Sequence, residues 1–328
     1  MPISTRRTFF RAALVLALSP IAAAAQEKPW PTSPVHLYVG FPAGSSPDTL
    51  ARLITGPLSE RLGQPVVVEN NEGESGVAGI RQMLAASSDN HAFGIASNGP
   101  LTASPRLAGD AGYDVAADIA PVALIATSPL VLAVAGQAPY TDVSGFIRAA
   151  QAEPGSIRYG SVGQGSAAHL TAELFAAVAD VEMRHVPLAS YAEVTSSIVG
   201  EAIEAGFMAP SAALPHVEAG TLRILGATCP EASPQVPDAP VMAGQAGLPD
   251  DFGAELWNAV VAPAGTDPQA IRRLNAQIND ILADPAIQEE LLEMGWQAQG
   301  GTPADLAARI EADTVLWGAV IDRIAAAG

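Results

Sequence analysis

The sequence predicts an α/β protein with mainly parallel strands, arranged as two lobes. Short apolar runs recur along the chain with helical stretches between them, at 35–41, 66–69, 92–97, 119–126, 130–135, 157–161, 184–187, 203–208, 222–227 and 256–262. Several of them, such as Val66-Val67-Val68 and Ile224-Leu225, lack clean apolar/polar alternation. That is expected where helices cover both faces of a sheet. The length of 328 residues reaches the size at which one core divides in two.

Residues 1–25 read as an export signal. Arg6, Arg7 and Arg11 form a cationic start, Ala12 to Ala22 an apolar stretch, and Ala23-Ala24-Ala25 a small-residue cleavage site before Gln26. Thr5-Arg6-Arg7-Thr8-Phe9-Phe10 also resembles a twin-arginine signal, so export by either route is open. The apolar stretch is shorter than the roughly 20 residues of a membrane span. The mature chain is predicted to be soluble and to lie outside the cytoplasm.

The first strand, 35–41, runs into a small-residue turn and then a helix with Leu50, Leu53, Ile54, Leu58 and Leu62 on one face. Asp48 or Ser46 is its expected cap, and Pro57 is expected to kink it. Further helices are periodic at 166–179 (Leu170, Leu174, Phe175, Val178), 268–284 (Ile271, Leu274, Ile278, Ile281, Leu282) and 303–326 (Leu306, Ile310, Trp317, Ile321, Ile324). Two apolar runs meet around Thr127-Ser128-Pro129, within Ile119–Val134, as expected of a crossing between lobes. A Pro-, Gly- and acid-rich connection at 230–253 leads to a return strand. The expected division is therefore residues 26–126 plus 251–328 for the first lobe and 127–250 for the second.

Composition narrows the function. Removing the three signal arginines from a net charge of −18 leaves −21. Such a surface repels nucleic acid and anionic lipid at long range. The single cysteine, Cys229, has no partner for an internal disulfide. An aromatic content of 5% disfavours a sugar-stacking cleft.

Gly/Ser-rich turns recur at the carboxyl ends of predicted strands, where ligands bind in open α/β sheets. They are Ala43-Gly44-Ser45-Ser46, leading to Asp48; Ser97-Asn98-Gly99-Pro100-Leu101-Thr102; Ser161-Val162-Gly163-Gln164-Gly165-Ser166, before His169; 187–191; and 208–211. Turns of this kind at helix N-termini point free amides into one crevice and suit a small anion. Small residues admit close backbone approach, and hydroxyls supply rotatable donors. Tyr191 fits either a cleft wall or an ordinary helix start.

Enzyme signatures are weak. Gly163-Gln164-Gly165-Ser166-Ala167 misplaces the serine of a nucleophile elbow by one position. Ser166 and His169 are spaced to cap and orient, with no placed carboxylate to complete a triad. His36, His91, His169, His185 and His216 are scattered, without metal-ligand spacing, and no dinucleotide or phosphate-loop fingerprint occurs. The expectation is no catalytic residue, no metal and no cofactor.

Several segments resemble the Bug/TctC family of extracytoplasmic receptors of tripartite tricarboxylate transporters. They are Phe41-Pro42-Ala43-Gly44 through Asp48, the run Glu60 to Asn70, the run Ser211 to Arg223, Pro263-Ala264-Gly265-Thr266 and Gly300-Gly301-Thr302-Pro303. The resemblance covers the chain after the signal in order. It implies a type II periplasmic-binding-protein fold, two α/β lobes with a central ligand cleft, closing on a small organic carboxylate. It implies backbone amides and ordered waters as the main contacts, membrane transporter subunits as partners, and a monomer. Carried onto matching positions, it assigns Ala43, Gly44, Ser45 and Asp48; Ser97, Asn98 and Thr102; Ser161, Gly163, Ser166 and His169; and Ala209, Pro210 and Ser211.

Departures from the pattern bear on the ligand. Ser45 stands where a family glycine is common. Glu72 and Glu74 stand in a segment that usually reads Pro-Gly-Ala-Gly-Gly. Leu188-Ala189-Ser190-Tyr191 replaces Tyr-Lys-Gly, and Phe207 or Met208 is placed to line an apolar pocket. These changes favour a monoanionic or partly aromatic ligand over citrate. The alternatives are an exported serine hydrolase using Ser166 or Ser161, and a ligand sensor without a transport role.

Overall fold

Two mixed sheets carry the chain. The structure is a computed structural model describing Met1 and residues 30–86, 89–229, 231–250 and 252–327. The export signal falls outside the described residues. The strands are β1 (Val35–Val39), β2 (Val66–Asn70), β3 (Ala92–Ser97), β4 (Ile119–Pro129), β5 (Val131–Ala135), β6 (Ile157–Ser161), β7 (Met183–Pro187), β8 (Ala205–Met208), β9 (Leu222–Ala227), β10 (Glu255–Pro263) and β11 (Gln297–Gly300). The helices are α1 (Ser46–Leu62), α2 (Val77–Ala85), α3 (Asn98–Thr102), α4 (Ser104–Ala108), α5 (Val115–Asp118), α6 (Val143–Ala152), α7 (Ala167–Ala179), α8 (Tyr191–Val199), α9 (Pro210–Glu218), α10 (Pro268–Leu282), α11 (Pro285–Glu293) and α12 (Pro303–Ala327).

The first sheet has the order β11-β4-β10-β3-β1-β2 and the second β7-β6-β8-β5-β9. The expectation of mainly parallel strands needs correction. β1 runs parallel to β2 and β3, and β6 parallel to β7 and β8. By contrast, β10 is antiparallel to β3 and β4, β11 to β4, and β5 to β8 and β9. The antiparallel members include the strands that carry the chain between sheets, since a strand arriving from the other sheet enters from the opposite end. Strand β11, Gln-Ala-Gln-Gly, has no apolar run to announce it and lies at the sheet edge.

The first helix also differs from expectation. Its N-cap is Ser45 rather than Ser46 or Asp48, and Pro57 lies inside it, where a kink is expected. One core joins Val35, Leu37, Leu50, Ile54, Leu58, Phe93 and Ile278, and a second joins Leu132, Phe146, Tyr159, Phe175 and Phe207. Trp257 and Trp317 are buried, as their apolar pattern predicts. Trp317 sits with Ala103, Leu170, Ala254 and Ile321 in a cluster that ties α12 to α7.

The two crossings are locked to one another. Thr228, wholly buried, donates its hydroxyl to the carbonyl of Ala254, lies 3.0 Å from that of Leu130, and accepts from the Leu130 N–H at 3.0 Å. Backbone bonds join Thr228 N to Leu130 O and Ala254 N to Thr228 O, each at 2.9 Å. Gln235 adds a bond from Nε2 to Thr127 O at 3.0 Å. No described helix is long and apolar enough to cross a membrane.

Candidate functional site

Parallel strands order the turns. Because β1, β2 and β3 share a direction, the turns that follow them share one edge of the first sheet, and β6, β7 and β8 do the same in the second.

Asp48 organises the first turn. Its carboxylate is 1% exposed. It accepts from Gly44 N at 2.8 Å, from Arg52 Nε at 3.0 Å and from Asn70 Nδ2 at 2.9 Å. Burial alone would raise its pKa, but the hydrogen bonds from Arg52, Gly44 and Asn70 outweigh it and hold the group at about 2. Asp48 is thus a permanent anion fully occupied within the protein, which shapes the turn rather than offering itself to a ligand. Gly44 adopts φ +82°, open to glycine at no cost. Ala43 and Gly44 are exposed. Among the described residues, the amides of Ala43, Ser46 and Asp48 find no acceptor, and the buried hydroxyl oxygen of Ser45 has no partner. These donors at the start of the 17-residue α1 are therefore unclaimed, although the Asp48 carboxylate in its first turn already meets part of the helix's positive end.

The second turn lies beside the first. Ser97 caps α3, Asn98 is 4% exposed and donates to Glu255 O at 3.3 Å, and Thr102 Oγ1 donates back to Asn98 O at 2.7 Å. Asn98 thereby fastens the turn to the return strand β10.

In the second sheet, Ser166 caps α7, accepting from His169 N at 3.3 Å and donating to Gly163 O at 2.7 Å. His169 Nδ1 accepts from Gly165 N at 3.2 Å, so the neutral ring carries its proton on Nε2. Ser161, with no exposed surface, lies 2.7 Å from His185 Nε2 and 3.1 Å from Gly163 O. The two imidazoles are 4.2 Å apart, and Tyr159 stacks on His185 at 5.1 Å while donating to Glu173. Burial lowers the pKa of both histidines to about 4; for His185 the neighbouring His169 adds to that and Glu173 opposes it. His185, Arg52 and Asn70 are positioning residues that sequence reasoning did not single out: His185 and Asn70 act through partners more than 20 residues away, and Arg52, four residues from Asp48, reads like any surface arginine on a helix.

The other predicted residues fall in different settings. Ala209 caps α9 and Ser211 is exposed, lying against Gly295 of the first sheet's side. Tyr191 is half-buried at the start of α8 and packs against both apolar clusters of the second sheet. Phe207 is 1% exposed, its ring 5.7 Å from Phe175, which makes it core rather than a pocket wall.

The two sets of turns approach each other. A Cβ added to Gly165 would lie 2.5 Å from Leu107 Cδ1. A hollow of about 270 Å³ between them is lined by Glu74, Ser75, Val77, Ser104 and Leu107 on one side and Gln164 and Gly165 on the other. A larger one of about 660 Å³ lies away from this line, between α3–α4 and α12. No group of three potential metal ligands occurs among the described residues.

The family model of the tripartite tricarboxylate transporter family receptor, TctC, matches residues 50–326. The chain belongs to this family. It is 34% identical to a UPF0065 protein of the tcbD-tcbE intergenic region of Pseudomonas sp. strain P51, over 93% of this chain and 91% of that one. To the protein BugT of Bordetella pertussis it is 32% identical, over 88% and 87%. Among solved structures, an R. palustris protein with adipate superposes with a TM-score of 0.78 at 32% identity, covering 89% of this chain and 97% of that one. MatC from Rhodopseudomonas palustris with bound malate gives 0.75 at 27%, covering 89% and 100%. The fold is that of type II periplasmic binding proteins, and the family is one of periplasmic solute receptors rather than enzymes.

Proposed function

We propose that this protein captures a small organic carboxylate between its two sheets and delivers it to the membrane subunits of a tripartite transporter. The observation that carries the reading is the first turn. Its shape is fixed from behind by a buried, saturated Asp48, while the amides of Ala43, Ser46 and Asp48 and the Ser45 hydroxyl have no partner among the described residues. Preorganised donors at a helix N-terminus bind an anion without reorganisation. The adipate and malate carried by the two related structures support the ligand class. In this reading Ser97, Asn98, Thr102, Ser161, Gly163, Ser166, His169, Tyr191, Ala209 and Ser211 build or support the cleft, residues 127–250 form the second lobe, and the exported protein acts as a periplasmic monomer.

The pair Ser161–His185 at 2.7 Å favours a second reading, an exported serine hydrolase. Against it stand the complete burial of Ser161 and, among the described residues, the lack of a carboxylate bonded to His185. A sensor role differs from transport only in partners.

Thermal shift against a panel of carboxylates tests the proposal. Saturable stabilisation is expected, about 2.7 kcal/mol at a hundredfold excess over Kd. It should vanish in Ser45→Trp, with folding of the variant verified by circular dichroism. Undiminished titrations in that variant, or ester hydrolysis lost in Ser161→Ala or Ser166→Ala, would overturn it. Affinity should fall only modestly with salt, since Arg52 is held by Asp48 and Arg158 by Glu204, leaving short-range dipoles to do the binding.

A further inference from the structure

The segment Gly73–Gly76 places successive residues in the left-handed region, with φ of +148°, +49°, +53° and +99°. For Glu74 and Ser75 this backbone is strained, because an L side chain there crowds its own main chain. Close packing of backbone on backbone holds it. A Cβ at Gly40 would collide with Gly76 O, one at Gly79 with Gly40 N, and one at Gly76 would lie 2.5 Å from the Phe41 ring. Glu74 and Ser75 are thereby fixed beside the first turn, on the wall of the 270 Å³ hollow opposite Gln164 and Gly165.

From this geometry we propose that Glu74 sets the ligand class. It excludes a second carboxylate and selects a monocarboxylate whose far end donates a hydrogen bond, an inference that rests on carboxylate capture at the first turn. The lining offers a carboxylate, two hydroxyls (Ser75, Ser104), one amide (Gln164) and apolar Val77 and Leu107, with no cation. Arg81 holds Glu74 Oε1 at 2.8 Å and gives its Nε–H to Ala111 O, so it fixes the acid from outside the lining. A ligand carboxylate placed there meets the like charge of Glu74 with no cation in the lining, whereas a hydroxyl or ammonium finds an oriented acceptor. Exposed Glu72 does not line the hollow.

Isothermal titration at pH 7.5 with 6-hydroxyhexanoate and adipate, in wild type and Glu74→Gln, tests this. The wild type should bind 6-hydroxyhexanoate about tenfold more tightly than adipate, the scale of one like-charge contact at a partly exposed site. Glu74→Gln, which keeps the shape and still accepts from Arg81, should close most of that gap by binding adipate more tightly. Adipate as the tighter ligand of the wild type, or a gap unchanged in Glu74→Gln, would overturn the proposal while leaving carboxylate capture intact. Binding of neither acid, with a non-carboxylate binding instead, would overturn both.

Discussion

Replacing Asp48 with asparagine isolates the group that shapes the first turn. Its carboxylate is buried to 1% exposure and accepts hydrogen bonds from Gly44, Arg52 and Asn70. Asparagine can accept from Gly44 N with one atom, but must then turn its NH₂ toward donors of Arg52 and Asn70. A carboxyl held at about 2 instead of 3.8 contributes about 2 kcal/mol at neutral pH. Arg52 is 54% exposed, so solvent screens its share and about 1–2 kcal/mol is the expected loss. The sign follows from the lowered pKa. The contribution is present above the unfolded value and disappears as pH falls toward about 2. Urea unfolding followed by circular dichroism should place Asp48→Asn about 1–2 kcal/mol below wild type at pH 7, with the gap roughly halved by pH 3. Ligand affinity should fall with it, because the asparagine NH₂ faces the donors of Arg52 and Asn70 and the turn is no longer held in one shape. A variant as stable as wild type at pH 7, with a parallel acid profile, would refute the assignment of the turn's rigidity to Asp48.

Three other outcomes are expected. His169 and His185 are held neutral, at about 4, so their stabilising share is complete above about 6.5 and is lost as pH falls toward 4; urea midpoints should decline through that window, and less steeply in His185→Asn. Thr228→Val removes hydroxyl bonds to Leu130 and Ala254 in a fully buried site and should cost about 1–3 kcal/mol in the same unfolding assay. Gly165→Leu, at φ +77° and facing Leu107, should weaken ligand binding and raise the radius of gyration measured by small-angle scattering with ligand. Leu107→Ala in the same chain should restore part of both.

Much of the fold was legible because both sheets are covered by helices, which writes each interior strand as an apolar run. Strands 92–97, 157–161 and 222–227 fall where those runs place them. The run at 119–126 underestimated β4, which continues to Pro129 because the crossing itself pairs with β10. Strand direction was not legible: β10 and β5 read like any buried strand, and only the path of the chain between sheets turns them antiparallel. At the candidate site, the turns and their small residues were readable, but the roles within them were not. Asp48 looked like a cap or a ligand contact, and its saturation depends on Asn70, which is 22 residues away. Phe207 looked available to a pocket because a strand end gives no sign of which face meets Phe175. The left-handed backbone of Glu74 and Ser75 was hidden for a related reason, since it is imposed by Gly40 and Gly76 meeting across the fold.

The paired crossings, stapled at Thr228, have a mechanical meaning. Two chain crossings bonded side by side through Thr228 form a double-stranded link between the sheets, stiffer against twisting than either strand alone. In the proposed receptor reading, such a link would confine closure of the halves to a narrow path. Little orientational disorder would then be surrendered on closure, so more of the intrinsic attraction for a captured molecule would remain as measured affinity.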